Sequence, residues 1–185
     1  LFDAGYVDFE EPFARFYSHG LIVKDGAKMS KSKGNVINPD EYIKKYGADT
    51  LRMYLHFLGP FSEGGDFRDT GIEGMHRFVK KVWRLFSESR IMNYESREMS
   101  AEALKMMHGA IKGVTGDLED LRYNRAISKL MIWYNFLAKE DGLSREEMEV
   151  YLKLLAPFAP HMAEDLWQRA RGESQVFRSI HVESW

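Results

Sequence analysis

The chain contains no cysteine among its 185 residues, which excludes disulfides and thiolate metal sites outright. No apolar run approaches the roughly 20 residues that a membrane-spanning helix requires. Net charge is also nearly absent, at −2 from 26 basic and 28 acidic side chains. Such a chain is no polycation, so any nucleic-acid contact must come from local basic faces. The histidines, His19, His56, His76, His108, His161 and His181, show no pairing at metal-ligand spacing, and no metal site is predicted. What is present is core material: 44% of residues are apolar and 14% aromatic, enough for one domain, or a small domain plus part of another. The start, Leu1-Phe2-Asp3-Ala4-Gly5, lacks both an initiator Met and the pattern of a signal peptide. Both ends read as positions inside a longer protein.

Residues 1–35 hold short apolar runs broken by glycine and charge. Gly20-Leu21-Ile22-Val23, followed by Asp25-Gly26, predicts a strand and a turn. Residues 26–35 are polar, basic and glycine-bounded, which predicts a loop. Helices then take over. Asn38-Pro39 is a helix start, with Asp40 and Glu41 suited to the positive end of its dipole. That helix is expected to end at Gly47, and a second to run from about Asp49 to Gly59-Pro60. Residues 61–69 are glycine-rich and read as a linker.

Thr70-Gly71-Ile72-Glu73 has capping-box spacing and opens a long helix, with Ile72, Met75, Val79, Val82, Trp83 and Phe86 inward. Ser100 caps a helix with Leu104, Met107, Ile111 and Val114 on one side, and Asp117 is expected to open another that ends at Gly142. Ser144-Arg145-Glu146-Glu147 is a second capping box, leading into Met148, Tyr151, Leu152 and Leu155. Pro157 and Pro160 break that helix, and a last one spans about residues 161–171. Residues 179–185 alternate in character like a strand. The expected fold is mainly α, with residues 70–172 as an antiparallel helical bundle and 173–185 as the start of a strand.

One loop stands out chemically. Lys24, Lys28, Lys31 and Lys33 face a single acid, Asp25, and Ser30 and Ser32 add hydroxyl donors. Ammonium groups on long flexible stems suit a polyphosphate that moves during reaction. The helix start near Asn38 adds free backbone N–H groups nearby. Most lysine clusters are solvated surface, however, and no GxxxxGK[ST] phosphate loop is present. Composition alone leaves the role of this loop open.

The order of its residues says more. Lys28-Met29-Ser30-Lys31-Ser32 is letter for letter the KMSKS motif of class I aminoacyl-tRNA synthetases. The flanks Lys33-Gly34-Asn35-Val36-Ile37-Asn38-Pro39-Asp40 and Tyr46-Gly47-Ala48-Asp49-Thr50-Leu51-Arg52 resemble the same family. Gly71-Ile72-Glu73-Gly74, Val82-Trp83-Arg84-Leu85, Tyr123-Asn124-Arg125-Ala126-Ile127-Ser128 and Leu155-Ala156-Pro157-Phe158-Ala159-Pro160-His161 resemble the leucyl-tRNA synthetases in particular.

The resemblance covers nearly the whole chain. It implies the end of a Rossmann-type nucleotide-binding domain over residues 1–60, and over 70–172 the bundle that the family calls its anticodon-binding domain. It implies a cytoplasmic, monomeric leucine–tRNA ligase that uses ATP with Mg2+, leucine and tRNA(Leu). Lys28 and Lys31 match the positions that stabilise the leaving pyrophosphate, and Met29, Ser30 and Ser32 complete the ATP-binding loop. The His-Ile-Gly-His motif of the family is absent from these residues, so this stretch alone is expected to be inactive. Valyl and isoleucyl enzymes share the loop and form one alternative. A non-catalytic helical RNA-binding module forms another, although such a module has no use for this loop.

Two basic stripes complete the reading. Arg77, Lys80, Lys81 and Arg84 recur at helical spacing opposite Val79, Val82 and Phe86, and Arg122, Arg125 and Lys129 recur on the helix expected from Asp117. Basic helix faces are often merely solvated. With the resemblance, both stripes are expected to contact the tRNA sugar-phosphate backbone, which positions without reading sequence. Asp49 and Arg52, three apart on a helix, suggest an ion pair. Trp83, Trp133 and Trp167 read as core anchors.

Overall fold

The computed structural model describes residues 1–11, 13, 15–87, 99–140, 142–172 and 177–184. Strand β1 (Leu21–Lys24) turns back into β2 (Ala27–Lys28). The turn residues, Asp25 at φ 51° and Gly26 at φ 76°, are both left-handed, and Asp and Gly are the residues that tolerate this at hairpin tips. Helices α1 (Pro39–Tyr46) and α2 (Ala48–Phe57) follow. Asn38 caps α1 as expected, its side chain accepting the Asp40 N–H, and Gly47 closes it with φ 88°.

The expected linker contains a strand instead. β3 (Gly64–Phe67) pairs parallel with β1, from Leu21 opposite Gly64 to Lys24 opposite Phe67, giving the sheet order β2-β1-β3. Its glycines serve close approach and not flexibility. A Cβ at Gly64 would lie 2.0 Å from the Leu21 carbonyl oxygen, and one at Gly20 would lie 2.0 Å from the Glu63 backbone.

The bundle comprises α3 (Asp69–Ser87), α4 (Ala101–Glu119), α5 (Tyr123–Leu137), α6 (Arg145–Leu155) and α7 (Pro160–Arg171). Asp69 opens α3, one residue before Thr70, because the Arg68 carbonyl already accepts the Gly71 and Ile72 N–H groups. Ser100 caps α4 by accepting the Ala103 N–H. Its buried face is Ala103, Met107, Ala110 and Val114, whereas Leu104 remains 37% exposed. The Ser144–Glu147 capping box forms with both reciprocal bonds, at 2.8 and 3.1 Å.

Asp117 does not open a helix. It sits in the last turn of α4, and the chain turns through Leu121, at φ 58°, into α5 at Tyr123. The end expected as a strand is a 3-10 turn over Ile180–Val182. One buried cluster runs from Leu51, Met53 and Tyr54 of α2 through Phe67 and the bundle helices to Ile180. The supports of the loop therefore share a core with the bundle.

Candidate active-site loop and nucleic-acid face

The β1–β2 hairpin delivers the chain to Lys28. Lys31–Lys33 then form a 3-10 turn closed by Gly34 at φ 65°, with the Lys33 N–H donating to Ser30 O at 3.1 Å and the Gly34 N–H to Lys31 O at 3.2 Å. Asn35 staples the motif. Its Oδ1 accepts the Ser30 N–H at 2.8 Å, and its Nδ2 donates to Lys28 O at 3.2 Å. The Ser30 and Ser32 hydroxyls lie 2.7 Å apart. The loop thus holds its own backbone through four hydrogen bonds. Lys28, Lys31 and Lys33 are exposed, and no described acid lies within 4 Å of any of them, while Met29 is half-buried.

Lys24 differs from the other three lysines. Its Nζ lies 2.9 Å from Asp69 Oδ2, 3.6 Å from Asp25 and 5.4 Å from the Phe67 ring centre. Asp69 also accepts from the Tyr42 hydroxyl at 2.6 Å. Burial, and then that bond, push Tyr42 up to about 12. The bonds from Tyr42 and Lys24 hold Asp69 below the ordinary carboxylate range. Nearby, Asp66 Oδ1 accepts the Gly26 N–H at 2.9 Å, which with Arg68 lowers Asp66 as well.

The two basic stripes differ. On α3, Arg77, Lys80, Lys81 and Arg84 are all exposed, and no described acid lies within 4 Å of Arg77, Lys80 or Lys81. Lys80 also lines an open cleft with Tyr46, Trp83 and His161. At the start of α5, by contrast, Arg122, just before the helix, and Arg125 and Lys129 within it converge on Asp117, whose side chain is 2% exposed. Arg122 Nε lies 2.9 Å from Oδ1 and Arg125 Nε 3.6 Å from it, while Lys129 bonds Oδ2. Gly113 makes room for this, since a Cβ there would lie 2.6 Å from Lys129 Cδ. Burial alone would raise Asp117, yet the bonds from Lys129 and Arg122 outweigh it and hold the acid low.

Residues 6–66 match the family model described as tRNA synthetases class I (I, L, M and V), and residues 100–185 that described as the anticodon-binding domain of tRNA ligase. A leucine–tRNA ligase from Thermotoga maritima is 42% identical over 204 residues, covering 100% of this chain and 24% of that protein. The chain belongs to the leucyl branch of the class I tRNA synthetases. The leucine–tRNA ligase of Chlorobaculum tepidum is 48% identical over 171 residues, covering 91% of this chain and 21% of that protein. Among solved structures, a LeuRS of Agrobacterium radiobacter K84, in a ternary complex with tRNA and LeuAMS, superposes with a TM-score of 0.82 at 31% identity. That match covers 94% of this chain and 25% of the other. The chain spans about a quarter of the length of the curated relatives it matches.

Asp49 and Arg52 do not pair with each other. Asp49 caps α7 across the fold: Oδ1 lies 2.8 Å from His161 Nδ1, and Oδ2 accepts the Met162 N–H at 2.6 Å. Arg52 donates twice to Pro157 O, at 3.1 and 3.0 Å. Both residues grip the turn between α6 and α7, whose own N-cap, Ala159, has no side chain able to accept. Sequence reasoning also missed Asn35, Tyr42, Asp66 and Asp69. Only Asn35 carried a local signal, as a short polar residue just beyond a tight turn.

Proposed function

We propose that this chain is the part of a leucine–tRNA ligase that stabilises the departing pyrophosphate and docks tRNA(Leu). The observation that carries the reading is the contrast within the lysine loop. Lys24 is neutralised by Asp69, whereas Lys28, Lys31 and Lys33 stand exposed on a self-bonded backbone with no described acid within 4 Å. In leucyl-adenylate formation the leucine carboxylate attacks the α-phosphorus of ATP, the bond to the bridging oxygen breaks, and pyrophosphate leaves with Mg2+. Negative charge grows on the leaving phosphates, which is what an ammonium at Lys28 and another at Lys31 would stabilise, by ~3 kcal/mol each. Ser30 and Ser32 bond each other, which leaves one hydroxyl proton to donate to a phosphate oxygen. Met29 anchors the loop by packing.

In the full-length enzyme, Lys28→Ala or Lys31→Ala should slow leucine-dependent pyrophosphate exchange by about a hundredfold. An undiminished rate would contradict the reading.

The α3 face is the primary tRNA contact, made by Arg77, Lys80, Lys81 and Arg84. Arg122, Arg125 and Lys129 add donors already oriented by Asp117, Arg125 being the most open at 61% exposure. Exchanging the four α3 residues for Glu should weaken tRNA(Leu) binding and flatten its log–log salt dependence by about 3 units, with leucine and ATP affinities unchanged. Equal affinity at several salt concentrations would rule this face out. On this reading the parent acts as a monomer in the cytoplasm, where ATP, leucine and tRNA(Leu) meet.

A further inference from the structure

The loop leaves the protein through one stem and returns through another, and a single carboxylate holds both. The entering stem is β1 with its turn, which presents Lys24 and the Gly26 N–H. The leaving stem is α1, which presents Tyr42. Asp69 takes Lys24 on Oδ2 at 2.9 Å and Tyr42 on Oδ1 at 2.6 Å, bridging residues 45 and 27 positions away. Asp66, three residues earlier, takes the Gly26 N–H at 2.9 Å.

The segment bearing both acids is itself rigid. Phe67 is buried between them, edge-on to Tyr42 at 4.9 Å and to Tyr54 at 5.0 Å. The Tyr54 hydroxyl accepts the Arg68 N–H at 2.9 Å and donates to Arg68 O at 3.0 Å. We propose that Asp69, seconded by Asp66, is the positioning residue of the leaving-group loop: it sets the separation and angle of the two stems, and so the place where Lys28 and Lys31 meet phosphate. This rests on the function proposed for that loop.

The same contacts read otherwise as ordinary surface ion pairs, which contribute little to stability. Asp69 is indeed 60% exposed at its side chain. Little change in global stability is therefore expected from its loss. Transition-state geometry is far more sensitive, since a misplacement of about 1 Å can cost a hundredfold in rate.

The test uses a full-length leucine–tRNA ligase carrying this segment, with Asp69→Asn beside Lys28→Ala. Asp69→Asn should lower kcat of pyrophosphate exchange about tenfold and raise KM for ATP, leaving KM for leucine and tRNA(Leu) and the melting temperature unchanged. Adding Lys24→Met should cost less than the two single losses combined, because both remove one contact. If Asp69→Asn exchanges at the normal rate while Lys28→Ala is slow, the positioning role is overturned and the loop reading stands. If Lys28→Ala is also normal, the loop reading falls and takes this role with it. A slow Asp69→Asn enzyme with a lowered melting temperature or a raised leucine KM also overturns the positioning role.

Discussion

Asp117 shows how far one carboxylate can redirect a surface. Arg122, Arg125 and Lys129 look like a phosphate-binding stripe when read along α5, and in the fold they share a buried acid. Removing that charge would leave Arg125 and Lys129 beside a neutral site and Arg122 with only the exposed Asp120, 2.5 Å away. Asp117→Asn is expected to destabilise the protein by about 2 kcal/mol, a moderate figure for a buried charge because its partners are partly solvated. The pH dependence has a definite sign. The folded acid sits below its ordinary 3.8, so its stabilisation is complete above that value and is lost as pH falls through the folded value. Denaturant melts should show the gap between wild type and Asp117→Asn closing below pH 3.8, and a constant gap down to pH 2 would contradict the account. The lysine loop was legible at this scale because its information lies in the order of adjacent residues. The partners of Asp49 and Asp69 were not, because groups as far as 113 residues apart meet only through packing.

Among the elements, caps announced themselves. Asn38, Ser100 and Ser144 each satisfy N–H groups within three residues, which a sequence displays directly. Two signals misled for physical reasons. Asp117 carries the chemistry of an N-cap but spends it on Arg122 and Lys129, and the glycines around Gly64 read as flexible while serving a strand crossing. The cap of α7 could not be read locally, since Asp49 provides it from α2. Asp49→Ala should therefore cost about 1–2 kcal/mol, and it should speed hydrogen exchange at the Met162 and Ala163 amides more than at α4. Equal protection in both helices would show that α7 needs no cap.

On the scale of the molecule, α3 joins the two proposed sites. Asp69 stands at its first residue and touches both stems of the loop, while Arg77, Lys80, Lys81 and Arg84 lie about 12–22 Å further along the same helix axis. The buried cluster that includes Ile72, Met75 and Val82 of α3 also includes Leu51 and Met53 of α2, so the loop supports and the proposed RNA face rest on one core. The central claim is that the exposed lysines act on the phosphates leaving ATP and on nothing later. Single-turnover kinetics of the full-length enzyme with Lys28→Ala and Lys31→Ala separate the two steps. Leucyl-adenylate formation should slow about a hundredfold, while transfer of leucine from preformed adenylate to tRNA(Leu) stays within about twofold of wild type. Equal slowing of both steps, or none of the first, would contradict it.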